Sequence, residues 1–190
     1  ISAGPSPGMG GVFVNVNRGK RSVVLDLREA SGRAALRDLV ATADVFIHSM
    51  RARAVEKLGF DYASVAAINP RIVYCNCYGY GRGGPSRDLP AYDDTIQAEC
   101  GLTAVQQMLT GEANYVGTIM ADKVSGLFMV QAVTAALFRK ERTGEGQFVE
   151  VPMLEAVTSF LLAEHFYDHV YDPPTGQWTY GRITNPDRRP

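Results

Sequence analysis

Excess charge of either sign is missing from this sequence: 19 lysines and arginines stand against 20 aspartates and glutamates, a net charge of -1 with histidine neutral. Such a chain exerts no global pull on nucleic acid or on an anionic membrane, so a polyanionic ligand would need a local basic site. Cysteine is scarce too. Of the three, Cys75 and Cys77 flank Asn76, and on a strand they would share a face without suiting a disulfide. Reduced thiols in a cytoplasmic protein are the expectation. Neither a CxxC pair nor an HExxH order occurs. His165 and His169 have the i, i+4 spacing of a zinc pair on one helix face, but incidental histidines on an amphipathic helix are the stronger reading, and no metal is expected. The longest apolar stretch, residues 124–138, is interrupted by Gln131 and Thr134 and reads as too short to span a bilayer. The N-terminus has no charged region leading into an apolar one. Neither a membrane nor a nucleic-acid partner is therefore expected.

What is present is enough for one substantial core, with 46% hydrophobic residues in 190. Residues 22–26 (Ser-Val-Val-Leu-Asp) read as a buried strand, followed by a helix opening at Ser31 and a second buried strand over residues 45–47. This is a βαβ pattern and predicts a parallel sheet. A short helix over 53–58 stops at Gly59, Asp61 caps another that ends near Asn69-Pro70, and residues 72–78 give a third strand. The loop 79–90 is rich in glycine and proline, as functional loops often are. A helix over 92–100, an irregular stretch, a long helix over 122–142, a strand over 147–151 and a last helix over 153–168 complete the pattern. Both ends read as cut. The N-terminal Gly/Pro stretch precedes no Met start, and residues 184–190 are a polar run without an element to hold them.

The motif Gly79-Tyr80-Gly81-Arg82-Gly83-Gly84 satisfies GxGxxG after a strand, but Pro85 and Pro90 follow where a helix N-terminus should meet a pyrophosphate. A classical NAD site is set aside on that ground. Asp122 stands before the apolar run Val124, Leu127, Phe128, and on local chemistry alone it is a helix N-cap. The same geometry suits a carboxylate nucleophile, with nearby N–H groups available to an oxyanion. Arg28 and Arg51 fall just beyond two strand ends, where open α/β sheets bind ligands; with Arg18, Lys20, Arg21, Arg53 and Lys57 they form either solvated surface charge or a site for an anionic nucleotide-like ligand.

The ordered fragments Asn17-Arg-Gly-Lys-Arg-Ser22, Leu25-Asp-Leu-Arg28, Ala43-Asp-Val45, Leu58-Gly-Phe60, Asn69-Pro-Arg71, Gly79-Tyr-Gly81 to Gly84-Pro85, Ala91-Tyr-Asp93, Asp122 with Gly126, and Thr143-Gly-Glu-Gly-Gln147 resemble the class III CoA-transferase family. That family, which includes the L-carnitine dehydratase/bile acid-inducible proteins, takes in formyl-CoA transferase, carnitine CoA-transferase and α-methylacyl-CoA racemase. The resemblance implies a three-layer, Rossmann-like α/β large domain with a mainly parallel sheet over residues 1–171, residues 172–190 opening a linker, and the family's small second domain lying outside this sequence. It implies transfer of coenzyme A from an acyl-CoA donor to a carboxylate acceptor through a covalent intermediate on Asp122. Tyr92 would line the reaction centre, with Asp93 beside it. Leu25, Arg28, Ser49, Met50, Arg51 and Lys57 would contact CoA, a cosubstrate rather than a resident cofactor. The full-length protein would be an interlocked homodimer. The usual Asn-Phe/Tyr-x-Pro-Gly pattern is replaced by Ser49-Met50-Arg51-Ala52-Arg53. The racemase branch has a histidine where Tyr92 stands, and a phenol with an ordinary pKa of about 10 is poorly suited to α-proton exchange near neutrality. Transfer is favoured over racemisation, with a non-catalytic acyl-CoA-binding protein as the rival from another class.

Overall fold

A computed structural model describes residues 10–179. Its element order is α1 (Gly11–Val16), α2 (Ala30–Thr42), β1 (Val45–His48), α3 (Ala52–Leu58), α4 (Tyr62–Ile68), β2 (Val73–Asn76), α5 (Asp93–Glu99), α6 (Leu102–Thr110), α7 (Met120–Thr143), β3 (Gln147–Glu150) and α8 (Met153–His165). A 3-10 turn, Tyr167–Val170, follows. The chain divides into two compact units, residues 1–36 and 37–190. The Gly/Pro stretch before residue 10 and the polar run 184–190 lie outside the described residues, as does most of the expected linker.

In the first unit the expected strand over residues 22–26 does not form, and Val23 and Val24 are 65% and 94% exposed. An apolar, β-branched run makes a strand only when another strand offers its backbone, and among the described residues of this unit there is none. A turn replaces it: Asp26 accepts from the Arg28 N–H and binds the Arg28 guanidinium at 3.0 and 2.7 Å, while Arg33 donates to the carbonyls of Leu27 and Arg28.

The second unit is built on a parallel sheet in the order β1-β2-β3, with Val45 opposite Val73 and Val73 opposite Gln147. Because successive side chains alternate across a strand, β2 presents two different surfaces. Val73 and Cys75 join Val133 and Ala136 of α7, Val149, Val151 and Ala156 in one core cluster, with Cys77 packed against it. Tyr74 faces the other way, among the rings of Phe46, His48, Tyr62 and Phe148. Phe60, between α3 and α4, is fully buried and stacks on Phe46. Helices therefore cover both faces, giving the expected three-layer α/β arrangement.

Local signals explain several helix ends. Gly59 takes φ +74° at the end of α3, a conformation that favours glycine. Asp61 caps α4 by accepting from the N–H and the hydroxyl of Ser64, which holds its pKa below the usual carboxylate value. Three differences from the sequence expectation stand out. The stretch before the long helix is not irregular throughout but contains α6, bracketed by Gly101 and Gly111 at positive φ. The last α-helix ends at His165 rather than near 168, so His165 and His169 do not share a helix face. The long helix begins at Met120, capped from Ile119, so Asp122 is its third residue rather than its cap.

Helix α7, at 24 residues, is long and apolar enough to cross a membrane by length and composition, which the shorter run counted in the sequence did not suggest. It carries Lys140, buried and bound to Asp44 at 2.7 Å, and packs on β2 and β3 as the helical layer of the sheet. That lysine keeps the pKa of Asp44 low.

Candidate active site

Asp122 opens onto a cavity of about 400 Å³. Ile47, His48 and Ser49 at the end of β1, Cys77 after β2, Ser125, Gly126 and Met129 of α7, and Met153 of α8 complete its lining. The position follows from topology, since the ends of parallel strands and the start of the next helix converge at one rim of the sheet. The small residues Cys75 and Cys77 let α7 lie close to β2, and Ser125 turns its hydroxyl onto the Ala121 carbonyl at 2.7 Å rather than into the cavity.

Asp93, the first residue of α5, holds the nucleophile candidate from behind. Its Oδ1 accepts from the Asp122 backbone N–H at 3.0 Å, supplying from another helix the acceptor that a first-turn N–H of α7 lacks. Asp93 Oδ2 accepts from Gln97 Nε2 at 2.6 Å. Gln97 is 2% exposed, and it also donates to the Thr118 carbonyl at 3.2 Å and accepts from the Val116 N–H at 2.9 Å. One amide thus ties α5 to the segment that delivers Asp122. Removal of water by its surroundings, and then the charge of Asp93, push the Asp122 pKa above the ordinary carboxylate value. The carboxylate stays exposed to incoming substrate and is more basic than an ordinary one, which favours nucleophilic attack.

Cys77, the other candidate nucleophile in the cavity, is disarmed by the same environment. Burial and then the Asp122 charge raise its pKa, and burial takes Cys75 up to about 11. Near neutrality both stay thiols, the unreactive form.

The residues singled out in the sequence do not all meet. Ser49 and Asp122 share the cavity, and Asp93 bonds to Asp122. Tyr92 precedes α5 and is 72% exposed, and it is not among the described residues lining that cavity. Arg51 and Lys57 line a neighbouring hollow of about 290 Å³ together with Arg53, a cationic patch beside Asp88. Met50 lies between, its N–H bonded to His48. In the first unit, Leu25 lines a small hollow with Asp26 and Glu29, while Arg28 is paired with Asp26 and largely exposed. Gln97 and His48 were not read as site residues. Gln97 left a faint trace, standing four residues after Asp93 on one helix face.

The glycine motif has a packing role. The Gly81 N–H donates to Glu155 at 2.9 Å and the Arg82 N–H to Glu150 at 2.8 Å, and Tyr78 also bonds to Glu150. Donors that would cradle a pyrophosphate already serve carboxylates, and turns rather than a helix follow. A Cβ on Gly79 would overlap Ala91, and one on Gly81 would overlap Glu155, so both glycines answer to close approach.

Comparison with known proteins adds an independent line. The model for CoA-transferase family III matches residues 2–184. An acetyl-CoA:oxalate CoA-transferase of Acetobacter aceti is 38% identical over 150 residues, covering 78% of this chain and 39% of that protein. A succinate–glutarate CoA-transferase of Agrobacterium fabrum is 37% identical over 145 residues, covering 76% of this chain and 36% of that one. The crystal structure of a CAIB/BAIF family protein from Brucella suis superposes with a TM-score of 0.75 at 34% identity, over 87% of this chain and 44% of that chain. The chain thus spans less than two-fifths of the length of these two curated relatives.

Proposed function

Because the chain belongs to CoA-transferase family III, we propose that it carries the nucleophile half of an enzyme that moves coenzyme A from an acyl-CoA to a free carboxylic acid, with Asp122 as the covalent centre. The single observation that carries this reading is the buttressed Asp122 carboxyl, opening onto a cavity while Asp93 holds its backbone. Asp122 attacks the thioester carbonyl, the C–S bond breaks, and a mixed anhydride and CoA thiolate result. The thiolate attacks the aspartyl carbonyl, releasing the first acid and leaving an aspartyl-CoA thioester. The incoming carboxylate attacks that thioester, forming a new anhydride and expelling the thiolate. Attack of the thiolate on the new acyl carbonyl yields the product acyl-CoA and restores Asp122. Two activated acyl intermediates replace one difficult exchange.

CoA would lie along Ser49 and Met50 into the Asp122 cavity, with Arg51 and Lys57 near its phosphates; Leu25 and Arg28 are proposed as CoA contacts on the family resemblance alone. Arg28 would exchange Asp26 for a phosphate, a substitution of one anion for another. No resident cofactor enters these steps. The full-length protein is proposed to act as an interlocked homodimer. Transfer is preferred to racemisation because Tyr92 is an exposed phenol where an acid/base partner for Asp122 would be needed.

Hydroxylamine trapping tests the proposal. Full-length protein incubated with a donor acyl-CoA and then hydroxylamine should yield a hydroxamate at Asp122, detected by peptide mass spectrometry. Turnover that persists without such a product, or in an Asp122→Ala variant, would rule it out.

A further inference from the structure

The Ser49–Met50 segment follows β1 directly, and a chain of three hydrogen bonds supports it. The Met50 N–H donates to His48 Nδ1 at 3.1 Å. His48 Nε2 lies 2.7 Å from the Tyr74 hydroxyl, and that hydroxyl donates to the Phe60 carbonyl at 2.9 Å. A phenol has one proton to give, so with its proton on Phe60 it can only accept from His48. Nε2 therefore carries the histidine proton, and Nδ1 keeps the lone pair that Met50 requires. The ring is locked in one tautomer by partners at both nitrogens. It packs edge-on to Tyr74 and tilted against Phe46.

We infer that His48 is a positioning residue for the proposed transfer site: as a neutral imidazole it holds the Ser49–Met50 segment at the rim of the Asp122 cavity, and its protonation releases that segment. The inference rests on the reading of the cavity as the acyl-CoA site. A proton on Nδ1 would turn the acceptor for Met50 into a second donor facing the first, which breaks the bond and opposes two N–H dipoles. Burial works in the same direction, placing the pKa of His48 below the ordinary histidine value. The titratable and charged groups around it are Tyr74 on β2, Cys77 and Asp122 across the cavity, and Glu56, Asp61 and Arg82 on the far side of the Tyr74 ring. None of them offers Nδ1 an acceptor among the described residues. With both nitrogens engaged, His48 is not a general base. Its effect should appear in KM more than in kcat.

The sign follows from linkage. A histidine whose folded pKa is lowered favours the ordered Ser49–Met50 segment above that pKa and opposes it as pH falls through it. Acyl-CoA binding by the full-length protein should therefore weaken on an acid limb set below the ordinary histidine pKa of about 6.5. Nitrogen-15 NMR of the wild-type imidazole at pH 7 should show a proton on Nε2 and none on Nδ1. His48→Asn, whose carbonyl can accept from Met50 and does not titrate, should bind an acyl-CoA a few-fold more weakly and lose the limb. His48→Leu should raise KM roughly tenfold across the pH range, the loss of about one hydrogen bond's worth of positioning. An Nδ1–H tautomer or an imidazolium at pH 7, or an acid limb retained by His48→Asn, would overturn the inference. The nitrogen shifts decide the tautomer whether or not any thioester binds, so a failure here is told apart from a failure of the transfer reading.

Discussion

The two faces of the parallel sheet are built from one alternating strand and have taken opposite characters. Toward α7, β2 offers Val73 and Cys75, with Cys77 just past the strand, small groups that bring the helix near and leave a cavity where Asp122 enters. Toward α3 and α4 it offers Tyr74, whose ring packs with Phe46, Tyr62 and Phe148 and whose hydroxyl joins His48 to Phe60. The aromatic face gains rigidity from ring packing and a satisfied polar chain; a hollow of about 390 Å³ opens beside Tyr74 and Arg82 there, so what sets the small-residue face apart is the Asp122 carboxyl in its cavity and not the room alone. Rigidity behind the strand end supports precision in front of it, since the segment after β1 is tied to the aromatic side and opens on the cavity side.

The contrast predicts that changes on the cavity side cost activity before stability, and that changes on the aromatic side do the reverse. The largest effect belongs to Asp122→Asn, which should lower transfer roughly a thousandfold or more, the scale expected when a covalent nucleophile is lost. Its stability should move the other way. A carboxyl with a raised folded pKa binds protons more tightly in the fold, so between the unfolded and folded pKa values stability falls as pH rises, and that deficit persists near neutrality. A small increase in Tm at pH 7, read by calorimetry, is expected. If Asp122→Asn unfolded the protein, the contrast would fail at its first point.

Gln97→Leu comes next, with kcat down about 10- to 100-fold, an expectation for lost preorganisation. It strips partners from Asp93, Val116 and Thr118 together. Carbon-13 titration of the Asp122 carboxyl should show its pKa altered in the same variant. An unchanged kcat would confine Gln97 to packing.

On the aromatic side, Tyr74→Phe removes the donor to the buried Phe60 carbonyl and the acceptor for His48, and should cost about 1–3 kcal/mol in urea unfolding. The smallest effect is that of Asp61→Ala, about 1 kcal/mol from the loss of the α4 cap. Asp61 has a depressed folded pKa, so its contribution is present above the ordinary carboxylate pKa and fades as pH falls. Wild type and variant should therefore converge in stability toward pH 3.

What could be read in the sequence was local. Gly59 and Asp61 announced the end of one helix and the start of the next, and the apolar run 72–78 announced β2, because the cause and the effect sit within a few residues of each other. Residues 22–26 carry as good a strand pattern as β1, yet they form no strand and leave Val23 and Val24 exposed, because a ladder partner is not a property of the run itself. Helix α6 escaped notice because it has no side-chain cap and mixes polar residues through its length. Asp122 was legible as a helix-start carboxylate and, through the ordered family fragments, as the proposed nucleophile. Its support was not. Asp93 and Gln97 act on α7 through contacts between distant segments, and the bond from Met50 to His48 exists only because β1 ends where it does.

The covalent role of Asp122 is tested most directly with an acceptor acid labelled with heavy oxygen in its carboxylate. Each transfer passes one acceptor oxygen into the anhydride bridge, and expulsion of Asp122 leaves that oxygen on the aspartate. The peptide containing Asp122 from turned-over, full-length protein should carry the heavy isotope, and peptides from protein incubated with acceptor alone should not. Product acyl-CoA formed while Asp122 stays unlabelled would contradict the account.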